Sequence, residues 1–313
     1  MTRFLLRRIG EGLVLIFIVT AITFFLTAAA NIPIARNLLG PSASEAQVAA
    51  MNAKLGLDQP VVQRYFEWLA GVAHGDLGTS YFTSQPVGDA IMARLPVTLS
   101  VLLVASILTI LISGVLGIVG ASKGGVTDGV IQGVSIVTYV FPGIILGIVM
   151  VYVFAIQLKW VPAIGYVPFA DSPIGWFQSI ILPAILLSIG GIATVASQLR
   201  GSMVDELGRE YVRTLRSRGA STRSILYKHT LRNAAGPALT TFSLQFIVMF
   251  GGSLFIEKIF ALPGFGTYAY TTTIQGDLPA MLGVTLVSVG LVVVVNTIVD
   301  LANGWLNPKV RTE

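Results

Sequence analysis

Six stretches of this chain run for at least twenty-two residues without a charged side chain, at 12–35, 95–122, 129–158, 172–199, 233–256 and 278–299. Each exceeds the about 20 apolar residues that a helix needs to cross a hydrocarbon core. The glycines and prolines within them are tolerated in membrane helices. Only 11% of the residues are charged, against about one quarter in soluble domains. The sequence therefore predicts an all-α polytopic membrane protein with six transmembrane helices.

Basic residues predict how these helices are oriented. Of the twenty Lys and Arg residues, fourteen fall in segments that a six-span arrangement makes cytoplasmic, including eight in 200–232. By the positive-inside rule both termini lie in the cytoplasm. The expected organisation is a tail and first helix at 1–35, an extracytoplasmic insertion at 36–94, and helices two to six at 95–313. A further uncharged stretch, 259–276, is not counted as a span because its proline and three glycines make a poor lipid-facing helix.

The extracytoplasmic insertion carries its own helix signals. Ser44 and Gln47 form a capping box for a short helix through Ala53, which Gly56 is placed to stop. Pro60 opens a second helix with apolar residues at helical spacing. Its aromatic residues suit either the headgroup boundary or packing against the ends of the spans: Tyr65, Phe66 and Trp68.

The cytoplasmic connection at 200–232 is patterned as a helical elbow. The segment DELGREYVRTLRSR has helical periodicity, with one apolar face formed by Leu207, Tyr211 and Leu215. Gly219 is placed to end this helix, and Ser221 or Thr222 to cap a second short helix running to Pro237. A short rigid helix that projects from a membrane bundle can seat in a groove of a soluble partner.

These residues carry a family resemblance. EYVRTLRSRGAS followed by KHTLRNAAGPALT resembles the cytoplasmic EAA loop of ABC-importer permeases, in the form typical of the dipeptide and oligopeptide branch. Other fragments of that family follow in order: LGLDQPVVQRYFEWL, HGDLGTS, LPVTL, WVPAIG, LPAILLS, IEKIFALPGFG, GDLP, NTIVDL and NPKVR. The ordered set covers nearly the whole chain and resembles the B-type permease subunit.

The chain departs from the family pattern at three places. Arg213 and Leu215 stand where the generic loop has an acidic residue and an alanine. NIPIARNLLGP replaces a PGDP-like sequence on the outer side. GDLP replaces the more usual RDYP, so the cation beside Asp277 is missing.

The resemblance implies a type I ABC importer permease fold with a cytoplasmic coupling elbow, in a bacterial cytoplasmic membrane. The chain would form half of a translocation pathway for di- or oligopeptides, paired with a homologous second permease. It would dock two ATPase domains or subunits, which bind ATP and Mg, and receive cargo from an extracytoplasmic peptide-binding protein. Coupling to the ATPases is expected from Tyr211, Val212, Arg213, Thr214, Leu215, Arg216, Arg218, Gly219, Ala220 and Ser221.

The chain itself is expected to bind lipid around its spans, but no nucleic acid and no cofactor, and to have no enzymatic activity. No GxxxxGK[ST] phosphate loop occurs in the sequence, so ATP chemistry must come from partners. The absence of cysteine excludes disulfides and thiolate catalysis. No metal site is expected, because the two histidines, His74 and His229, are isolated on opposite sides of the membrane.

Two further groups are candidates for function. Glu257 and Asp277 flank an outer segment that would form a gate or contact the binding protein, at Pro263, Gly264, Phe265 and Gly266. The two acids would meet a peptide amine or simply be solvated. In the spans, Asn296 and Asp300 either tie helices together or line a route. Pore lining or helix packing is expected for Phe246, Met249 and Phe250.

Other functions are compatible with parts of the sequence. A proton-coupled secondary transporter would explain six spans and an aspartate near a membrane end, but it gives no reason for a structured docking elbow. An intramembrane hydrolase is disfavoured because the spans contain no histidine and no paired acids. Within the same family, importers of glutathione or nickel chelates share the architecture.

Overall fold

The computed structural model describes residues 2–30, 32–125, 129, 133 and 143–306. In these residues the chain is helical apart from turns, connecting loops such as 158–172, and one isolated antiparallel bridge between Thr79 and Pro86. The helices are α1 Thr2–Ala29, α2 Ile34–Leu39, α3 Glu45–Lys54, α4 Val61–Ala73, α5 Val87–Lys123, α6 Gly143–Gln157, α7 Pro173–Leu207, α8 Glu210–Ser217, α9 Thr222–Ile259, α10 Phe265–Gln275 and α11 Leu278–Leu306.

Five of the described helices are long and apolar enough to cross a membrane: α1, α5, α7, α9 and α11. The helix α6 is apolar but shorter, and its second half, Val151–Gln157, is π-helical. It lies in the predicted third span, 129–158, much of which falls outside the described residues. The segment 259–276 contains only the 11-residue helix α10, about 16 Å long, which is too short to cross a bilayer.

One compact unit comprises residues 1–96 and 263–294. Its apolar centre is formed by Phe24 of α1, Tyr65 of α4, and Leu278 and Leu282 of α11. Glycine allows close helix approach here: a Cβ added at Gly283 of α11 would lie 2.5 Å from Val87 Cγ1 of α5.

Helix α4 is attached to α1 within this unit. The Tyr65 hydroxyl lies 3.0 Å from Thr20 Oγ1 and donates to the carbonyl of Phe17 at 3.2 Å. Val62 and Phe66, one turn apart on α4, remain more than half exposed. One face of α4 therefore packs against a span, while a different face remains exposed and can meet the headgroup boundary.

The second compact unit comprises 97–262 and 295–313. Its core is contributed mainly by α5, α7 and α9 and includes Val101, Leu102, Ala105, Ile180, Leu186, Phe242, Phe246 and Met249. Helix α6 approaches α7 through Gly147, where an added Cβ would lie 2.7 Å from Leu186 Cδ2. Gly117 of α5 is similarly close to Leu199 of α7.

Local signals in the insertion are confirmed. The Ser44 side chain accepts from the Gln47 amide while the Gln47 side chain accepts from the Ser44 amide, which completes the capping box. Gly56 has a left-handed backbone with φ of 67°. Pro60 is the residue that precedes the first turn of α4.

Three expectations about helix bounds are wrong. Helix α5 begins at Val87 rather than near 95, because its first turns carry the charged Asp89 and Arg94 that interrupt the apolar pattern. DELGREYVRTLRSR is not one helix: α7 ends at Leu207, and Arg209 takes an extended backbone before α8 starts. The helix after Ser221 is not short, since α9 runs through Pro237 to Ile259.

Candidate functional site

The helix α8 is short and ends in a defined cap. Gly219 has φ of 80°, its amide bonds to the carbonyl of Arg216 at 3.0 Å, and the amide of Ala220 bonds to the carbonyl of Leu215 at 3.0 Å. This pair of bonds is the Schellman motif, which satisfies carbonyls that the helix end would leave free. The predicted role of Gly219 as the helix-ending residue is confirmed.

Burial on α8 differs from the face that the sequence predicts. Val212 is fully buried, whereas Tyr211 and Leu215 are only half-buried. The remaining predicted coupling residues of α8 and its cap are exposed: Arg213, Thr214, Arg216, Arg218 and Gly219. One apolar side chain therefore anchors the helix, and its arginines point into solvent.

A buried carboxylate lies at the base of this elbow. Glu206, in the last turn of α7, accepts a hydrogen bond from the Tyr211 hydroxyl of α8 at 2.9 Å. Its same oxygen is 3.4 Å from Nδ2 of Asn233 on α9, and its other oxygen is 3.0 Å from a guanidinium nitrogen of Arg209. Three helical segments thus meet at one side chain, which is itself 7% exposed.

Tyr211 is held in its neutral, donating form. Burial raises the pKa of the Tyr211 hydroxyl, and the hydrogen bond to Glu206 raises it further. Because the ordinary tyrosine pKa is already about 10, the hydroxyl keeps its proton at neutral pH. It can therefore donate continuously to Glu206.

The start of α9 is fixed by a cap and then departs from α-helical geometry. Ser221 Oγ accepts from the Ser224 amide at 3.3 Å, so Ser221 rather than Thr222 is the capping residue. Ile225–Thr230 is π-helical, a form that occurs often at functional sites. Asn233, which contacts Glu206, lies shortly after this segment.

Asp277 is buried rather than solvated. It lies between α10 and α11, is 1% exposed, and accepts from Ser80 Oγ and from the Tyr81 amide at 3.2 Å. These donors belong to the turn that leads into α5. The expectation that Asp277 is an ordinary solvated acid is wrong, because the fold supplies hydrogen-bond donors in place of water.

Glu257 is also buried, in the other compact unit. Thr98 Oγ1 donates to its carboxylate, and the Leu262 amide donates to its main-chain carbonyl at 2.8 Å. Solvation is therefore wrong for this acid as well. In the segment that follows, Pro263 is exposed while its neighbours are buried: Gly264, Phe265 and Gly266.

The intramembrane candidates lie on α9 and α11 in the second unit. Phe246 and Met249 are buried in the core and Phe250 is half-buried. Asn296 accepts a hydrogen bond from Ser243 Oγ of α9, so it ties two spans together as one of the sequence alternatives predicts. Asp300 is half-buried on the same helix.

The sequence patterns do not reveal the buried acid Glu206, nor the remote hydrogen-bond partners of the three acids: Asn233, Thr98 and Ser80. Glu206 is separated from Asn233 by 27 residues and Ser80 from Asp277 by 197, so no local pattern joins them. The one usable signal is an acid within an otherwise basic connection, since Glu206 is one of three acids in 200–232.

Comparison with known families gives a match over most of the chain. The model of the binding-protein-dependent transport system inner membrane component family matches residues 113–312. A second model, which describes the N-terminal part of such membrane components, matches residues 1–102.

Individual relatives agree with these matches. A protein of Brucella abortus (strain 2308), provisionally named a peptide transport system permease, is 38% identical, with 99% of both chains covered. The oligopeptide transport system permease AppB of Bacillus subtilis (strain 168) is 32% identical over 99% of this chain and 100% of its own. The glutathione transport system permease GsiC of Escherichia coli O6:H1 is 30% identical over 99% of each chain.

A solved structure shares the fold. It is an inward-facing form of the MetNI methionine ABC transporter, with a TM-score of 0.55. The match covers 69% of this chain and 96% of that chain at 17% identity.

Proposed function

Because the chain belongs to the family of inner membrane components of binding-protein-dependent transport systems, the permease subunits of ABC importers, we propose that it forms half of a translocation pathway for di- and oligopeptides. The peptide assignment is supported by the names of the relatives at 38% and 32% identity. Glutathione is the alternative cargo, supported by the relative at 30% identity.

The family fixes the general division of labour. A permease of this kind is a multi-pass inner membrane protein and not an enzyme, and it works with ATPase and substrate-binding partners. We propose that the partners are a homologous second permease, two ATPase domains that carry ATP and Mg, and an extracytoplasmic peptide-binding protein. We also propose that both termini and residues 200–232 are cytoplasmic and that 36–94 is extracytoplasmic.

The coupling proposal rests on the contacts that attach α8 to the rest of the second compact unit. The side chain of Val212 on α8 is buried, and the Schellman motif fixes the end of this helix. Glu206 joins the first turn of α8 to α7 and α9. The helix nevertheless presents Arg213 and Arg216 to solvent. A rigidly attached helix with an exposed face can transmit motion of a docked ATPase to two spans.

The segment that precedes α10 is proposed as the binding-protein contact. Pro263 is exposed in this segment, so the contact would be made there and by main-chain groups around it. Asp277 lies beneath the surface and would shape this side rather than touch cargo directly.

The coupling proposal is tested by Leu215→Asp in the complete importer reconstituted in proteoliposomes with its binding protein. Leu215 is half-buried, so a charge there should spoil an apolar contact with the ATPase while leaving insertion intact. Peptide uptake and transport-coupled ATP hydrolysis should fall together. The exposed Tyr227→Phe serves as the control. Wild-type uptake by a Leu215→Asp importer that retains its ATPase subunits would show that α8 does not couple.

Cargo is tested separately with the same preparation. Uptake of a labelled dipeptide should be competed by unlabelled di- and tripeptides at lower concentration than by glutathione. Preferential competition by glutathione would replace the peptide assignment while leaving the coupling proposal standing.

A further inference from the structure

A cavity of about 350 Å³ lies in the first compact unit. Its lining combines apolar residues of two membrane spans, Phe24 of α1 with Leu278 and Leu282 of α11, and polar residues of the insertion. Phe24 lies in the last turns of the first span and the leucines in the first turns of the last span. A cavity beside the ends of two spans is expected at the depth where a bilayer changes from hydrocarbon to headgroup.

Charges of both signs line the cavity without neutralising each other. Lys54, Arg64 and Glu67 all face it, and in the described residues no ion pair joins either cation to a carboxylate. Arg64 lies 5.8 Å above the Phe24 ring, and Glu67 is oriented by a hydrogen bond of 2.8 Å from Gln63. The walls thus offer two separate cationic groups and one anionic group, and neighbouring side chains orient Arg64 and Glu67.

Aromatic residues complete the walls. Trp68 is fixed by stacking on Tyr65 and by donating to the carbonyl of Leu77 at 3.3 Å. Burial raises the pKa of the Tyr81 hydroxyl, and the neighbouring Arg64 opposes that rise. Tryptophan and tyrosine at this depth are typical of residues that meet lipid headgroups.

The other face of α4 agrees with a lipid environment. Val62 and Phe66 are 56% and 55% exposed, and one turn separates them. An exposed apolar pair on one face of a helix, with charged residues on another face, is the arrangement expected of a helix lying at the membrane interface.

We propose that this cavity binds the headgroup of a zwitterionic phospholipid, with Arg64 and Lys54 on the phosphodiester and Glu67 on the ammonium group. Guanidinium binds phosphate oxygens through short charge-assisted hydrogen bonds, and basic pockets beside membrane helices hold lipid headgroups. The volume suits a headgroup rather than a whole lipid, whose chains would extend over the apolar surface of the spans. The proposal is independent of which leaflet the cavity faces and of the transported cargo.

The test is native mass spectrometry of the full chain released from detergent micelles with added phosphatidylethanolamine or phosphatidylglycerol. Wild-type chain should retain phosphatidylethanolamine preferentially. Arg64→Gln should weaken retention of both lipids about tenfold or more, since a charge-assisted bond is lost. Glu67→Gln should weaken only phosphatidylethanolamine, because the introduced amide loses the negative charge but can keep the hydrogen bond to Gln63. Arg36→Gln, which changes an arginine paired with Glu45 outside the cavity, should have no effect.

Each alternative has its own outcome. Equal retention of both lipids, unchanged by Glu67→Gln, would overturn the zwitterionic assignment. Displacement of lipid by soluble glycerophosphoethanolamine would show a site for a free headgroup compound, and displacement by trialanine would make the cavity a peptide site. If the wild-type chain retains no more lipid than Arg64→Gln does, the cavity is not a lipid site. A thermal unfolding midpoint within a degree or so of wild type for Glu67→Gln shows that its effect is local.

Discussion

Three carboxylates are each hydrogen-bonded by a residue remote in sequence: Glu206 by Asn233, Glu257 by Thr98, and Asp277 by Ser80. Burying a charged group is costly unless the protein replaces its lost water with donors. Each acid therefore holds distant segments in one arrangement, since separating them would leave the carboxylate unsatisfied. Glu206 differs from the others because its partners include the proposed coupling helix.

We predict that Glu206→Gln lowers the stability of the elbow and the efficiency with which ATP hydrolysis is coupled to transport. Glutamine keeps an acceptor for Tyr211 but loses the charge that Arg209 meets, at a cost of about 1–3 kcal/mol in unfolding free energy. Transported peptide per ATP hydrolysed should fall, as measured in proteoliposomes. Asp205→Asn is the matched control, because Asp205 is the adjacent acid and is exposed. If the two variants couple equally well, Glu206 has no part in positioning α8.

A second prediction concerns the backbone of Gly219. Among the described residues, no atom lies within 4 Å of a Cβ added there, so a side chain causes no clash and the cost of a substitution comes from φ of 80°. This left-handed conformation costs a β-branched residue roughly 1–2 kcal/mol, whereas asparagine tolerates it. Gly219→Val should therefore lower uptake and coupled ATP hydrolysis, and Gly219→Asn should preserve most of both. Loss of activity in both variants would point instead to contact with the glycine surface.

At the scale of helices, sequence patterns predict spans and helix ends, which depend on nearby residues, but they miss contacts between residues far apart in the chain. Uncharged stretches predict the five long spans, the Ser44 capping signal predicts α3, and Gly219 predicts the end of α8. The break at Gly208 is not visible in the periodicity, because apolar residues continue in helical spacing across it. Burial of Asp277 is equally invisible, because its donors lie almost two hundred residues earlier.

The attachment of α4 gives a prediction at this scale. Tyr65 is 1% exposed, packs against Phe24 at 5.3 Å between ring centroids, and bonds to two groups of α1. Tyr65→Ala should cost about 3 kcal/mol or more, since it removes a buried ring. Amide hydrogen exchange of α4 should accelerate while that of α7 is unchanged. Phe66→Ala on the exposed side is the control, and an equal effect of both variants would contradict the attachment.

For the molecule as a whole, the glycines of the apolar helices fall into two groups, those packed against another helix of the chain and those without a close neighbour in the part of the chain that the structure describes. Neighbouring helices of the same chain fill the space beside Gly117 and Gly147, whereas a Cβ added at Gly114, Gly143 or Gly251 would meet no atom of the described residues within 4 Å. Small residues let helices of different subunits approach closely. Glycines without a neighbour among the described residues on three apolar helices are therefore compatible with the proposed second permease, and a chain expressed alone should not transport peptide.

The final prediction tests how the molecule lies in the membrane. The chain has no cysteine, so a single introduced cysteine reports its own location without a background. Ala53 and Thr222 are both exposed, the first at the end of α3 in the insertion and the second at the start of α9. The fourteen-to-six division of basic residues predicts that an impermeant maleimide added to intact cells labels Ala53→Cys only. Thr222→Cys should react only after the membrane is opened. Labelling of Thr222→Cys from outside would reverse the orientation and place α8 where no cytoplasmic ATPase can reach it.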